Sequence, residues 1–272
     1  MALVLHIETA TTVCSVALSR DGELLALKEE NSGYTHAENL TLFVEEVFDM
    51  AKINITEIDV VAVSKGPGSY TGLRIGVSTA KGICYGLNKP LIAIDTLQSL
   101  AHKFIRETCP AFEAGLSRTT PPKAEATIPR SLLRNLGSGL APRFMPVTSQ
   151  QHAAGSPDLF CPMLDARRME VYCALYDEKS NPQDEVEAKI IDETSFKDRL
   201  ENTRIFFFGS GAEKCRVILG MNKNAQFIDG IVPSAVDMIS FGEASFKLNK
   251  FEDLAYFEPR YLKDFILGPK NV

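Results

Sequence analysis

The stretch KGPGSYTGLR, residues 65–74, decides how the first half of this sequence is interpreted. It follows a short apolar run at residues 60–63 and opens a series of apolar residues at helical spacing, so the predicted order is strand, glycine turn, helix. Glycines on both sides of Pro67 allow a tight bend, and Ser69 or Thr71 can cap the first amides of the helix. The stretch matches neither common phosphate-binding glycine pattern, and Pro67 lacks an amide that such a loop would use. A structural turn and a binding loop are both open interpretations.

The segments around this stretch predict an antiparallel start followed by parallel strand-helix units. Thr35 and Glu38 have the spacing of a capping box at the start of the first helix. The predicted elements are strands at 3–7, 12–19 and 23–30, a helix from 35 to about 51, a strand at 60–63, the helix after the glycine turn, a strand at 91–94 and a helix from 96. This order resembles the ribonuclease H-like half-domain of the actin, sugar-kinase and Hsp70 (ASKHA) group. The predicted fold class is therefore α/β.

The second half of the sequence is similar in kind. Its predicted elements are strands at 160–164, 171–176, 186–191 and 204–208, a helix after Gly211 and a helix at 234–248. We therefore expect two ASKHA-like α/β subdomains, at residues 1–108 and 158–272, packed across a cleft. No sequence repeat establishes a duplication.

An irregular segment at residues 109–157 separates these halves. It is rich in proline, glycine and serine and shows no sustained period, so it is interpreted as a disordered stretch or an inserted loop. Its lysines and arginines exceed its acids, giving a net charge of +3 in a chain whose net charge is −6. A basic arm that touches RNA and a solvated insertion without a role are the two alternatives.

Composition limits the classes of function. The net charge of −6 predicts no general attraction to nucleic acid, so an RNA contact would need a local patch or a partner. The six cysteines are scattered without C-x-x-C spacing, which is typical of reduced, buried thiols and predicts a cytoplasmic location. The start of the chain lacks a basic leader, and no apolar run approaches the ~20 residues that span a bilayer, so no membrane association is expected.

The titratable residues predict no metal centre. His6, His36, His102 and His152 lie far apart in the sequence, without the i, i+4 pairing of a helical metal site. Ser69 lacks the G-x-S-x-G context of a nucleophile, and no cysteine has a recognisable histidine partner. No catalytic residue is predicted.

Two turns are candidates for weak nucleotide binding. Glu8 ends the first strand, where the ASKHA group places an acidic residue near phosphate and magnesium, and Asp165 occupies the matching turn of the second half. Gly209 and Gly211 form a G-x-G that resembles an adenosine-side glycine turn, although a tight strand-helix turn explains it equally well. Arg167 and Arg168, beside Asp165, could instead hold an anion or an acidic partner. No cofactor is predicted to be required.

The first two helices have more apolar and small residues than one buried face needs. Glycine or alanine recurs at every fourth position from Gly72, and such a ridge lets another helix approach closely. Interior packing explains part of this pattern and a subunit interface the remainder. The predicted interface residues are Leu42, Phe43, Phe48, Met50, Gly72, Leu73, Gly76, Val77 and Ala80.

Five motifs make the sequence similar to the TsaB family, also called YeaZ. They are HIETATTVCSVAL from residue 6, KGPGSYTGLRIGVSTAKGICYGLNKPLIAIDTLQSLA from residue 65, LDARRMEVYCALYD from residue 164, FFGSGAEK from residue 207 and EPRYLKDF from residue 258. The sequence departs from the family at Glu8, where aspartate is commoner, and in the inserted segment. In the related enzyme TsaD two metal-binding histidines occupy the positions that here are Thr96 and Leu100, neither of which can bind that metal.

The resemblance implies a non-catalytic subunit for making N6-threonylcarbamoyladenosine (t6A) in tRNA. Such a subunit pairs with TsaD through the first two helices, works with the ATPase TsaE, meets tRNA indirectly through the complex, and forms a homodimer when TsaD is missing. The alternatives are an M22-type glycopeptidase-like hydrolase, which needs a metal or nucleophile, and an ASKHA nucleotide-binding protein. The latter needs Glu8, Asp165 and Gly209 to converge on one ligand.

Overall fold

The structure is a computed structural model that describes residues 2–33, 35–108 and 157–263. The predicted insertion at 109–157 therefore lies outside the described residues, except for Pro157.

The first half of the chain forms a five-stranded sheet in the order β3-β2-β1-β4-β5. The first three strands are an antiparallel meander, whereas β1, β4 and β5 run parallel. Its elements are β1 (Leu3–Glu8), β2 (Cys14–Arg20), β3 (Glu23–Glu30), α1 (His36–Ala51), a 3-10 helix (Ile55–Glu57), β4 (Val60–Gly66), α2 (Tyr70–Leu87), β5 (Leu91–Asp95) and α3 (Thr96–Thr108). The predicted meander followed by parallel units is confirmed.

The start of α1 differs from the prediction. Thr35 immediately precedes the helix, but its side chain forms no capping hydrogen bond with the helical amides. Its hydroxyl accepts a hydrogen bond from Asn39 Nδ2 at 3.1 Å instead. The predicted capping box is therefore wrong.

The second half repeats the topology of the first. Its sheet has the order β10-β9-β6-β7-β8, with β6, β7 and β8 antiparallel and β6, β9 and β10 parallel. Its elements are β6 (Leu159–Asp165), β7 (Glu170–Cys173), β8 (Glu187–Ile190), α4 (Lys197–Leu200), β9 (Ile205–Phe208), α5 (Ala212–Leu219), β10 (Ala225–Ile228), a 3-10 helix (Ala235–Met238) and α6 (Ile239–Lys247). The prediction omitted β10 and α4. Numbered within its own half, each sheet has the order 3-2-1-4-5, so the internal duplication is visible in topology.

Helices are exchanged between the halves. Helix α3 belongs to the first half but buries Phe104 against the second sheet, with its ring 4.5 Å from that of Phe208. In return, Met238 and α6 pack on the first sheet, where Gly242 lies against His6. Burying a phenylalanine side chain contributes about 2–3 kcal/mol, so these contacts bind the halves together.

None of the helices within the described ranges has the length and apolar character needed to cross a membrane.

Candidate functional site

The glycine loop after β4 packs against the turn that follows β1. Gly66 has φ +96°, and a Cβ placed on Gly68 would lie 2.3 Å from the carbonyl oxygen of Ala10. The amide of Ser69 donates to that same oxygen at 2.7 Å, and the Ser69 hydroxyl accepts from the amide of Gly72 at 3.3 Å as predicted for a helix cap. Since only a glycine permits this approach, the geometry favours the structural-turn interpretation of the loop.

The small-residue ridge of α2 faces the same turn. A Cβ on Gly72 would lie 2.2 Å from the Thr9 carbonyl oxygen, and one on Gly76 would lie 2.2 Å from Thr9 Oγ1. Ala80, the next residue of the ridge, is fully buried in the core. The predicted ridge exists, but its neighbour is the chain itself. This corrects its assignment to a subunit interface.

Four other predicted interface residues are also internal. Phe43, Phe48, Leu73 and Val77 are buried, because they occupy the faces of α1 and α2 that cover the first sheet. Leu42 and Met50, also on α1, are 53% and 45% exposed. Of the nine predicted residues, only these two present side chains that a partner could reach.

Helix α2 has a second small-residue face, which the sequence analysis missed. A Cβ on Gly82 or on Gly86 would have no neighbour within 4 Å, and Tyr85 between them is 84% exposed. Gly82 follows the buried Gly76 by six residues, a rotation of about 600° that ends about 120° short of two full turns, so the two glycines face different sides of α2. Gly82 and Gly86 are again four residues apart, but they do not continue the series of Gly72 and Gly76. This second pair was the sequence signal that could have revealed the face. We call the exposed Leu42, Met50, Gly82, Tyr85 and Gly86 the helix-pair face.

Glu8 is sealed inside the protein at the end of β1. Its side chain is fully buried, and Oε1 accepts a hydrogen bond from the Ala10 amide at 2.6 Å. The pKa of Glu8 is raised to about 7, mainly by burial and to a smaller extent by the charge of Asp237, although hydrogen bonds from the Ala10 amide and the Ser64 hydroxyl lower it. Because the glycine loop covers this turn, Glu8 does not face a nucleotide phosphate. This corrects its predicted binding role.

The second half carries a copy of this arrangement. Asp165 ends β6, and its Oδ1 accepts from the Arg167 amide at 2.9 Å, as Glu8 does from Ala10. Gly209, with φ +99°, places its Cβ position 2.5 Å from the carbonyl oxygen of Met163. The Cβ position of Gly211 is similarly close, 2.8 Å from Val171 Cγ1. The G-x-G is a tight strand-helix turn.

These residues do not converge on one ligand. Asp165 is half exposed and pairs with Lys214, whereas Glu8 is buried beneath the other glycine loop. The Cβ position of Gly209 faces the core, 3.3 Å from Leu100 Cδ2. The arrangement that an ASKHA nucleotide site requires is not formed by these three positions.

The described histidines have structural partners. His6 is buried with Nε2 at 2.8 Å from Ser19 Oγ, and burial lowers its pKa to about 3. His36 Nε2 lies 2.7 Å from the Thr11 carbonyl oxygen, and the ring of His102 packs on Phe241. His152 lies outside the described residues. No group of three or more histidine, cysteine or acidic residues suited to a metal occurs among the described positions.

The last described segment crosses between the halves. Lys81 Nζ donates to the carbonyl oxygens of Ala255 and Phe257 at 3.2 and 3.1 Å. Further along, the Arg260 amide donates to the Lys65 carbonyl at 2.7 Å. Lys263 then reaches the second half, where it pairs with Glu170. The EPRYLKDF motif therefore has a visible structural role up to Lys263.

Two α/β halves with the same sheet order and exchanged helices define a protein of the actin-like ASKHA fold. A family model described as TsaD: tRNA N6-adenosine threonylcarbamoyltransferase matches residues 30–118. A solved structure of YeaZ from Pseudomonas aeruginosa superposes with a TM-score of 0.66 at 20% identity, covering 96% of this chain and all of that one. A second Pseudomonas aeruginosa structure, described as similar to peptidase YEAZ, gives a TM-score of 0.68 at 20% identity over 97% of this chain and 100% of that one.

Curated proteins named TsaB match part of this chain. The tRNA threonylcarbamoyladenosine biosynthesis protein TsaB of Escherichia coli (strain K12) is 37% identical over 98 residues, covering 36% of this chain and 42% of that protein. TsaB of Haemophilus influenzae is 33% identical over 97 residues, covering 36% and 41%. The alignments span about two fifths of the length of these relatives. The chain is therefore similar to TsaB proteins over part of its length, and it shares the fold of the YeaZ structures.

Proposed function

We propose that this protein is a non-catalytic subunit of the machinery that forms t6A in tRNA. It binds and activates TsaD, works together with TsaE, and meets tRNA through the complex. The names of the similar TsaB proteins support the pathway. The observation that carries the subunit role is the helix-pair face, an exposed surface of apolar and small residues on α1 and α2.

The helix-pair face has the composition of a helix-docking surface. Gly82 and Gly86 leave open space where a partner helix can approach the backbone of α2. Tyr85 projects between them, and exposed tyrosines are enriched among residues that dominate binding energy. Leu42 and Met50 add apolar surface on the neighbouring α1. A second copy of this chain would use the same face when TsaD is missing, so the two partners compete.

The chemistry of the described residues supports an accessory role. Thr96 is buried and Leu100 packs in the core, at the two positions that correspond to metal-binding histidines in the related enzyme. Burial raises the pKa of Cys14, Cys84 and Cys215 to about 11, so these thiols are protonated and poor nucleophiles at neutral pH. The five described cysteines are free and buried, which suits a reducing cytoplasm.

Light scattering of the purified chain, alone and mixed with TsaD of the same organism, tests this proposal. We expect a homodimer that exchanges into a one-to-one complex. Tyr85→Glu should weaken both assemblies at least tenfold, because it places a charge in an apolar interface. Val217→Glu, at a residue on α5 that is 83% exposed, is the matched control and should leave both intact. A wild-type chain that stays monomeric and ignores TsaD would refute the proposed subunit role.

A further inference from the structure

A basic and aromatic surface lies where the two halves meet, and it shares no residue with the helix-pair face. A small pocket there is lined by Pro67 and Gly68 of the glycine loop, Tyr172 of β7, and the last described segment. Tyr261 contributes a ring to this pocket and packs against Tyr70, with the ring centroids 4.7 Å apart and the ring planes tilted by 37°. We call Arg167, Arg168, Tyr172, Arg260, Tyr261 and Lys263 the cleft patch.

The positive charge of the cleft patch is only partly neutralised. Lys263 pairs with Glu170, and Arg260 Nη1 lies 3.8 Å from Asp95 Oδ2. Arg167 and Arg168 are exposed, and their side chains form no hydrogen bond or ion pair with the described residues. Two guanidinium groups therefore remain available on a protein whose net charge is −6.

The turn that carries these arginines is held in an unfavourable backbone conformation. Arg167 and Arg168 have φ +69° and +48°, in the left-handed region that costs a side-chain-bearing residue roughly 1–2 kcal/mol. The Asp165 carboxylate fixes the Arg167 amide, and Lys214 Nζ donates to the Arg168 carbonyl at 2.7 Å. These contacts fix the adjoining backbone while both guanidinium groups stay in solvent.

The tyrosines favour bases over a purely anionic partner. Tyr172 lies close enough to Lys263 and Arg167 for both charges to lower its pKa against the larger effect of burial, which raises it. Aromatic rings with cationic side chains nearby are suited to unpaired nucleotides, since bases stack on the rings and the cations neutralise phosphates. On a protein with a net charge of −6, RNA binding requires a local basic surface such as this patch.

We propose that the cleft patch binds a single-stranded RNA segment directly, with Arg167 and Arg168 on phosphates and Tyr172 and Tyr261 as base-stacking surfaces. This goes beyond the proposed function, in which tRNA is met through the complex. It concerns a different surface and needs no TsaD.

Fluorescence anisotropy of the full chain with a labelled 12-nucleotide single-stranded RNA tests this site. R167Q/R168Q removes two positive charges and should weaken RNA binding about tenfold. It should also reduce the slope of log Kd against log salt concentration by about 1.4, since each phosphate contact on a single strand contributes about 0.7 to that slope. R167K/R168K should restore most of the affinity. Tyr172→Leu should weaken binding about fivefold or more without changing the salt slope.

Two charge-matched controls locate the binding. K197Q/R199Q alters an exposed pair on α4, and R130Q/R134Q alters the basic insertion; both should stay within about threefold of the wild type. The proposal would be overturned if all three double variants lost RNA affinity equally, if only R130Q/R134Q lost affinity, or if the wild type did not bind RNA at 50 mM salt. Competition by polyglutamate as effective as by RNA would also overturn it, in favour of an acidic protein partner. None of these outcomes bears on pairing with TsaD.

Discussion

The same substitution at two glycines of α2 should have opposite effects on stability. Replacing Gly82 by alanine adds a methyl group in open space, so the gain in helix propensity of up to about 1 kcal/mol is retained. Replacing Gly72 by alanine puts a methyl group 2.2 Å from the Thr9 carbonyl oxygen and 3.2 Å from the His36 ring. Backbone oxygen cannot rotate away, and overpacking of this kind costs about 1–3 kcal/mol. We therefore expect the two variants to differ by about 2–4 kcal/mol.

Thermal unfolding measures this difference directly. At roughly 2–4 °C per kcal/mol for a chain of this size, Gly72→Ala should melt at least about 4 °C below Gly82→Ala. The experiment is repeated at several protein concentrations, because self-association through the helix-pair face would raise the melting temperature. If Gly72→Ala unfolds at or above the wild-type temperature, the tight contact between α2 and the turn after β1 does not exist.

Three further predictions follow from buried and bridging side chains. The pKa of Glu8 is raised to about 7 in the folded state, so the native state binds more protons than the unfolded chain between about pH 4.5 and 7 and loses stability as pH rises through that window. Glu8→Gln should remove this loss, as measured by urea unfolding from pH 5 to 8, and parallel pH profiles of wild type and variant would contradict the prediction. Phe104→Ala should cost about 3–5 kcal/mol by calorimetry, because the ring is buried against the second sheet, whereas Leu248→Ala at an exposed position should cost little. Lys81→Met should release the crossing segment and speed limited proteolysis within residues 251–263, with Lys223→Met as control; equal cleavage rates would show that the Lys81 contacts do not hold it.

Local signals in the sequence were sufficient for most of the fold. Alternating apolar residues, the turn at residues 20–22 and the glycine turn at residues 65–74 predict the elements of the first half, because each of these signals depends on residues that are close together in the sequence. Strand β10 was missed because it is only four residues long and three of those residues are only partly buried. The repeated topology leaves no sequence trace, since packing conserves shape rather than residue identity.

The candidate sites were harder to predict because burial depends on distant contacts. The glycine spacing in α2 correctly indicated a close approach, but spacing cannot tell Thr9 of the same chain from a partner helix. Glu8 immediately precedes a turn that the sequence alone suggests is accessible, and only the folded structure shows that the carboxylate is buried. Exposure of Tyr85, Gly82 and Gly86 likewise required the tertiary structure.

The exchange of helices between the halves sets an order of events during synthesis. Strand β1 is translated well before Gly242, which covers His6 on that strand. The sheet of the nascent first half therefore stays incompletely covered until α6 has been translated. Its final packing is a late, long-range event of the kind that slows folding, and during that interval the exposed sheet is the part of the molecule most open to chaperones and to aggregation.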